Sequence, residues 1–111
     1  MLPATVRIFV CTVLQDMRRS FDRLALTVNE LLDEYPQSGA LYVFVGKSAT
    51  RTKVLWWDRN GYCLLYKRLH RALFSVPRAA DATASSVRID AVALAQMLTG
   101  VAKEAKRRVN A

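Results

Sequence analysis

Apolar residues recur along the chain with two different periods. Val6, Ile8 and Val10 alternate with Arg7 and Phe9, and the whole of Val6–Leu14 is rich in β-branched and aromatic types, which predicts a strand. From Met17 the spacing changes. Met17, Phe21, Leu24, Val28, Leu31, Leu32 and Tyr35 fall three and four apart, predicting one long amphipathic helix with Asp16 as its N-cap. Pro36 and Gly39 should end it, because the residue before a proline avoids the helical region and PQSG carries turn chemistry. Leu41–Val45, Thr52–Asp58 and Tyr62–Leu69 are dense runs of β-formers, the last two joined by DRNG, whose Asn60-Gly61 predicts a hairpin.

Beyond the hairpin the pattern thins. Pro77–Ser86 is small and polar and reads as a loop, Val87–Ile89 as a short edge strand, and Asp90 as the N-cap of a second helix carrying Ala91, Leu94, Ala95 and Leu98 up to Gly100. The predicted fold class is α+β: a small antiparallel β-meander with one long amphipathic helix packed on it and a short C-terminal helix. Residues 1–100 form the single domain and 101–111 a basic tail.

Composition supports a packed globule. Of the 111 residues, 52% are hydrophobic, ten are aromatic and only seven are Gly or Pro, so the chain can bury a core of its own but has no length for a second one. Cys11 and Cys63 each lie in apolar stretches without CxxC spacing and read as reduced, buried thiols. The apolar run Ile8–Leu14 is too short to span a bilayer and is followed at once by Asp16, Arg18 and Arg19, so a cytoplasmic protein with neither signal peptide nor membrane span is expected.

Charge changes the picture most. Seventeen Lys and Arg against nine Asp and Glu give a formal +8, and twelve of those cations are Arg, whose planar fork suits phosphate. Nucleic acid is the favoured partner class. Arg18 and Arg19 fall in the first turn of the predicted helix, where cations oppose the macrodipole by about 0.3–1 kcal/mol each. A phosphate at that turn would relieve the conflict; pairing with Asp22 is the alternative. A second cluster, Lys47, Arg51, Lys53, Lys67, Arg68 and Arg71, gathers at the end of the hairpin away from its turn, with Lys53 roughly opposite Lys67 or Arg68. Like charges so opposed call for an anion, unless they merely guard exposed strand edges. The nucleic-acid-binding candidates are therefore Arg18, Arg19, Lys47, Arg51, Lys53, Lys67, Arg68 and Arg71.

Other chemistry is thinly supported. Trp56, Trp57, Tyr62 and Tyr66 could stack on bases, but core packing is the better reading, with at most one of the adjacent tryptophans facing outward. No HExxH, GxSxG, P-loop or Cys/His cluster occurs, so neither a catalytic residue nor a metal or other cofactor is assigned, and the chain is read as a non-enzyme. His70, beside Arg68 and Arg71, reads as a surface residue near phosphate. Asp16, Asp22 and Asp58 could converge on Mg²⁺ in a nuclease; capping, helix pairing and turn initiation are their ordinary roles.

Taken in order, VRIF, DMRRSFDRLA, SGALYVFVGK, KVLWWDRNGYCLLYKRL, LFSVP and LAQMLTG resemble the TnpB accessory proteins of the IS66 group of bacterial insertion sequences. These are distinct from the RNA-guided nucleases of the same name. The likeness covers most of the chain. It departs from the family pattern at Ser20, Arg23, His70, Ala72 and Val76. The resemblance implies a protein encoded beside a separate transposase and needed for transposition, and it carries no catalytic residues over. The function expected is thus a non-catalytic DNA-binding accessory factor; the alternatives are a module that docks on the transposase through an outward Trp and a sheet edge, and a metal-dependent nuclease. DNA is the expected partner, with the transposase a second and oligomerisation left open.

Overall fold

The computed structural model describes residues 5–103. Its centre is a five-stranded mixed sheet with strand order β4-β3-β2-β1-β6, formed by β1 (Ile8–Cys11), β2 (Leu41–Val45), β3 (Arg51–Asp58), β4 (Gly61–Arg68) and β6 (Ser86–Ile89). A separate two-stranded sheet pairs β5 (Ala72–Leu73) with β7 (Val101–Ala102). The two helices are short: α1 is Phe21–Glu30 and α2 is Ala91–Thr99.

The expected α+β fold, an antiparallel meander with one long helix packed on it, is therefore incorrect: the described residues are mostly β, in a mixed sheet and a second small sheet, with two short helices. β1 and β2 run parallel, with Ile8 beside Leu41 and Val10 beside Val43, and β6 returns antiparallel on the far side of β1. Parallel neighbours need a crossover of a dozen or more residues, and the segment carrying α1 supplies it. All five residues of β2 are buried, as expected of a strand covered on both faces.

Side-chain alternation divides the interior into two layers. Cys11, Tyr42, Phe44 and Leu55 point to one face of the sheet and pack against Leu24, Ala25 and Val28 of α1. Ile8, Val10, Leu41, Val43 and Val54 point to the other, where Leu94 of α2 covers them with Met97 and Leu98. Burial also pushes the Cys11 thiol above its ordinary pKa.

The first helix ends well short of the expected Tyr35. Ser20, not Asp16, is its N-cap, and Asp33 takes a left-handed φ of +53°, while the Glu34 amide donates to the Val28 carbonyl. Met17 and Leu32 still pack on the core, from the segments flanking α1, so the apolar period outruns the hydrogen-bonded helix. The second helix follows expectation more closely. The Asp90 carboxylate accepts from the Ala93 amide at 2.8 Å, and Gly100 closes the helix with φ +79°.

The hairpin exists, but its turn lies one residue earlier than Asn60-Gly61. Asp58 pairs with Gly61, leaving Arg59 and Asn60 as the loop, with Arg59 at φ +58°. Val101–Ala102, expected to begin a tail, form β7; residues 104–111 of that expected tail lie outside the described residues. No helix among the described residues is long and apolar enough to cross a membrane.

Candidate functional site

The segment from Gln15 to Ser20 runs across the end of β2 before entering α1. Gln15 bridges to Gly46, and its amide donates to the Val45 carbonyl at 2.8 Å. A Cβ at Gly46 would lie 2.6 Å from Met17 Cγ, so a side chain there would displace Met17. A tight turn then leads into β3: the Ala49 amide donates to the Gly46 carbonyl, and Ala49 takes φ +60°. The Leu69 and Phe74 amides donate to the Thr50 and Ala49 carbonyls, fastening the chain after β4 to the same turn. These crossings leave a groove of about 610 Å³, lined among others by Asp16, Arg18, Lys47, Arg51 and Tyr66. A recess of about 250 Å³ adjoins it, formed by Arg51, Tyr66 and Arg68.

The observed turn moves the hairpin register by two residues from the expected one. Lys53 faces Tyr66, Thr52 faces Lys67, and Arg51 faces Arg68. Alternation then places Arg51, Lys53, Tyr66 and Arg68 on the α1 face and Lys67 on the α2 face. The two lysines are engaged internally. Lys53 is 6% exposed; its Nζ donates to the Arg19 carbonyl at 2.6 Å and lies 4.7 Å from the centre of the Tyr66 ring. Lys67 Nζ donates to the Leu98 carbonyl at 2.7 Å, serving one of the last carbonyls of α2. The opposed pair of like charges is real, but it is Arg51 with Arg68. Both are exposed, and among the described residues neither forms an ion pair.

Arg18 and Arg19 precede the helix, so neither opposes its dipole in the first turn. The Asp16 carboxylate accepts from the backbone amide, Nε and Nη2 of Arg18, the last at 2.7 Å. These bonds hold the Asp16 carboxyl well below its ordinary range and raise the Arg18 guanidinium. Arg18 nevertheless keeps its side chain 91% exposed, at the groove. Arg19 is half-buried, donating from Nη1 to Gln15 Oε1 at 2.9 Å. Arg71 and His70 are exposed on the bend after β4. Of the eight predicted residues, the groove and recess thus unite Arg18, Lys47, Arg51 and Arg68.

The carboxylates proposed for a metal do not converge. Asp16 is bound to Arg18, Asp22 lies in the first turn of α1, Asp58 flanks the hairpin loop, and no group of three metal-ligating side chains occurs among the described residues. The aromatic residues also separate. Trp56 packs toward the α2 layer, and Trp57 meets Tyr62 edge to face at 5.0 Å. Tyr66, by contrast, is 51% exposed at the recess. Among the possible stacking residues Tyr66 therefore departs from the expected core packing, as the alternation Tyr62, Leu64, Tyr66, Arg68, which carries it toward the basic end of β4, allows.

Comparison with known proteins agrees with the resemblance in the motifs. The model of the IS66 Orf2-like protein family matches residues 6–108. Two similar proteins come from Sinorhizobium fredii (strain NBRC 101917 / NGR234). Uncharacterized protein y4hO is 40% identical over 103 residues, covering 91% of this chain and 87% of that protein. Uncharacterized protein y4jC is 33% identical over 76 residues, covering 68% and 65%. No solved structure matches. With the family model spanning nearly the whole chain, this protein belongs to the IS66 Orf2-like family and is an insertion-sequence-associated accessory protein.

Proposed function

We propose that the protein is a non-catalytic DNA-binding factor that acts beside a separate transposase, holding the sugar-phosphate backbone at the groove lined by Arg18, Lys47 and Arg51 and at Arg68 beside it. The observation that carries this reading is the direct pairing of Arg51 with Arg68, without a carboxylate partner among the described residues, at the mouth of a cationic groove. Like charges opposed across a strand pair destabilise the sheet, and a bound phosphate removes the conflict. Lys53 and Lys67 add to the field but direct their ammonium groups to backbone carbonyls. Four phosphate contacts on duplex DNA should give a slope of log affinity against log salt of about −3.6. Binding measured from low to high salt checks this, and an absent or salt-independent interaction refutes it.

A second reading, docking on the transposase, has its own support. A cleft of about 770 Å³ runs between Thr12, Val13, Leu31 and the loop from Val76 to Ser85, with Val13 46% and Leu31 37% exposed. On this reading, capture of the purified transposase persists at high salt and in a variant lacking Arg51 and Arg68. Loss of capture under either condition refutes it.

A further inference from the structure

We propose that the recess formed by Arg51, Tyr66 and Arg68 takes an unpaired nucleotide of single-stranded DNA, with its base stacked on Tyr66 and the adjoining phosphates on the two guanidinium groups. The inference rests on the DNA-binding reading of the same groove and adds a preference for strands whose bases are free. Three features of the structure carry it.

Tyr66 is an aromatic ring placed among cations and left half exposed. It lies on the α1 face of the edge strand β4, beyond the residues that α1 covers, and half of its surface remains exposed. Tyr62 and Leu64, on the same face of the same strand, pack against the core instead.

The ring is also held in place before any ligand arrives. The Lys53 ammonium sits 4.7 Å from its centre and is itself fixed by the Arg19 carbonyl. A preset platform loses little side-chain freedom on binding.

Finally, Arg51 and Tyr66 line both the 610 Å³ groove and the 250 Å³ recess. Arg68 lines the recess with the ring, and Lys47 with Arg18 line the groove that the ring also borders. That arrangement, a cationic track interrupted by an aromatic face, is what single strands use; in a duplex the base faces are already stacked on one another and cannot reach the ring.

The test uses the full chain and fluorescence anisotropy with three probes of equal length: an oligo-dT strand, a strand with several abasic residues at its centre, and a blunt duplex. The wild-type protein should bind oligo-dT more tightly than the abasic strand. Tyr66→Ala should weaken oligo-dT binding by about 5- to 150-fold, the range for loss of one stacked base, and leave the abasic strand and duplex nearly unchanged. Tyr66→Phe should keep the wild-type pattern. The comparison of dT with abasic strand on wild-type protein needs no variant, so it stands even if Tyr66→Ala fails to fold. Equal affinity for those two strands, or an equal loss on all three probes in a folded Tyr66→Ala, overturns the proposal while leaving phosphate binding intact. Absence of salt-dependent binding to every probe overturns the DNA-binding reading as well.

Discussion

Replacing Arg68 with Gln should make the protein more stable and a poorer DNA binder at the same time. Arg68 stands directly opposite Arg51 on the same face of the sheet, and neither has an ion-pair partner among the described residues. Like charges so placed oppose strand pairing by a few tenths to about 1 kcal/mol. Both side chains are exposed, so solvent screening places this case at the low end, about 0.2–0.5 kcal/mol. For a domain near 100 residues that is a rise of about 1–2 °C in Tm. The gain should be largest in dilute buffer and vanish near 1 M salt, where the screening length falls to about 3 Å. On the proposed reading the same substitution removes one phosphate contact, so the salt slope on duplex DNA becomes shallower by about 0.9. Thermal melts of wild type, Arg51→Gln, Arg68→Gln and the double variant, at low and high salt, provide the assay. Once Arg51 is gone, Arg68→Gln should no longer stabilise. A fall in Tm for Arg68→Gln, or a gain that persists at 1 M salt, would refute the electrostatic argument.

Three other substitutions separate structural from ligand-facing roles. Lys53→Met keeps the apolar stem but strands the Arg19 carbonyl; loss of a charge-assisted bond should cost about 1.5–3 kcal/mol in urea unfolding, with the salt slope for DNA within about 0.3 of wild type. Gly100→Ala forces a side chain into a φ of +79° and to within 2.5 Å of Leu69 Cδ1, so denaturant unfolding should report a loss of about 1–3 kcal/mol without altered DNA preference. Asp16→Asn removes a negative charge from the groove and loosens Arg18, so DNA affinity at low salt should rise about 2- to 5-fold, the effect of one charge a few ångströms away in water. The folded Asp16 carboxyl lies below its ordinary value of 3.8, so its stabilising contribution is complete at neutral pH and is lost as pH falls below about 4. Asp16→Asn should therefore show a slightly flatter fall of Tm with acid than wild type.

How far the fold can be read in advance depends on whether a signal is local. The five strands of the main sheet were legible because β-branched and aromatic runs are local, whereas β5 and β7, two residues each, carry no such run; α2 was legible too, since its Asp90 and Gly100 each act within one turn. The parallel pairing of β1 with β2 was not, because periodicity assigns faces and not neighbours. One clue was available: Leu41–Val45 is apolar at every position, which an exposed meander strand would not be. The excess length given to α1 has a related cause. Met17 and Leu32 satisfy the core from segments that adjoin the helix without joining it, so the apolar period continues past the point where Asp33 turns the backbone away.

The site was harder still, and the reason lies in one turn. Asn60-Gly61 is the favoured loop pair by residue preference, yet here Arg59 takes the positive φ and Gly61 opens the strand. That one-residue displacement of the loop moves every cross-strand partner by two, which preserves the faces but exchanges the neighbours. Arg51 acquires Arg68 instead of a more distant residue, and Lys53 acquires a tyrosine instead of a cation. Counting charge could not separate these fates, because Lys53, Lys67, Arg51 and Arg68 contribute equally to +8. What separates them is geometry. The two lysines reach backbone carbonyls of the Ser20-preceding segment and of α2, where a compact ammonium suits a single acceptor, while the arginines keep their broad donor forks at the surface. Basicity in this protein is thus of two kinds, one that fastens elements together and one left unpaired beside an exposed ring. On the proposed reading only the second kind is displaced by salt, so the measured slope should track the arginines and Lys47 and not the total charge.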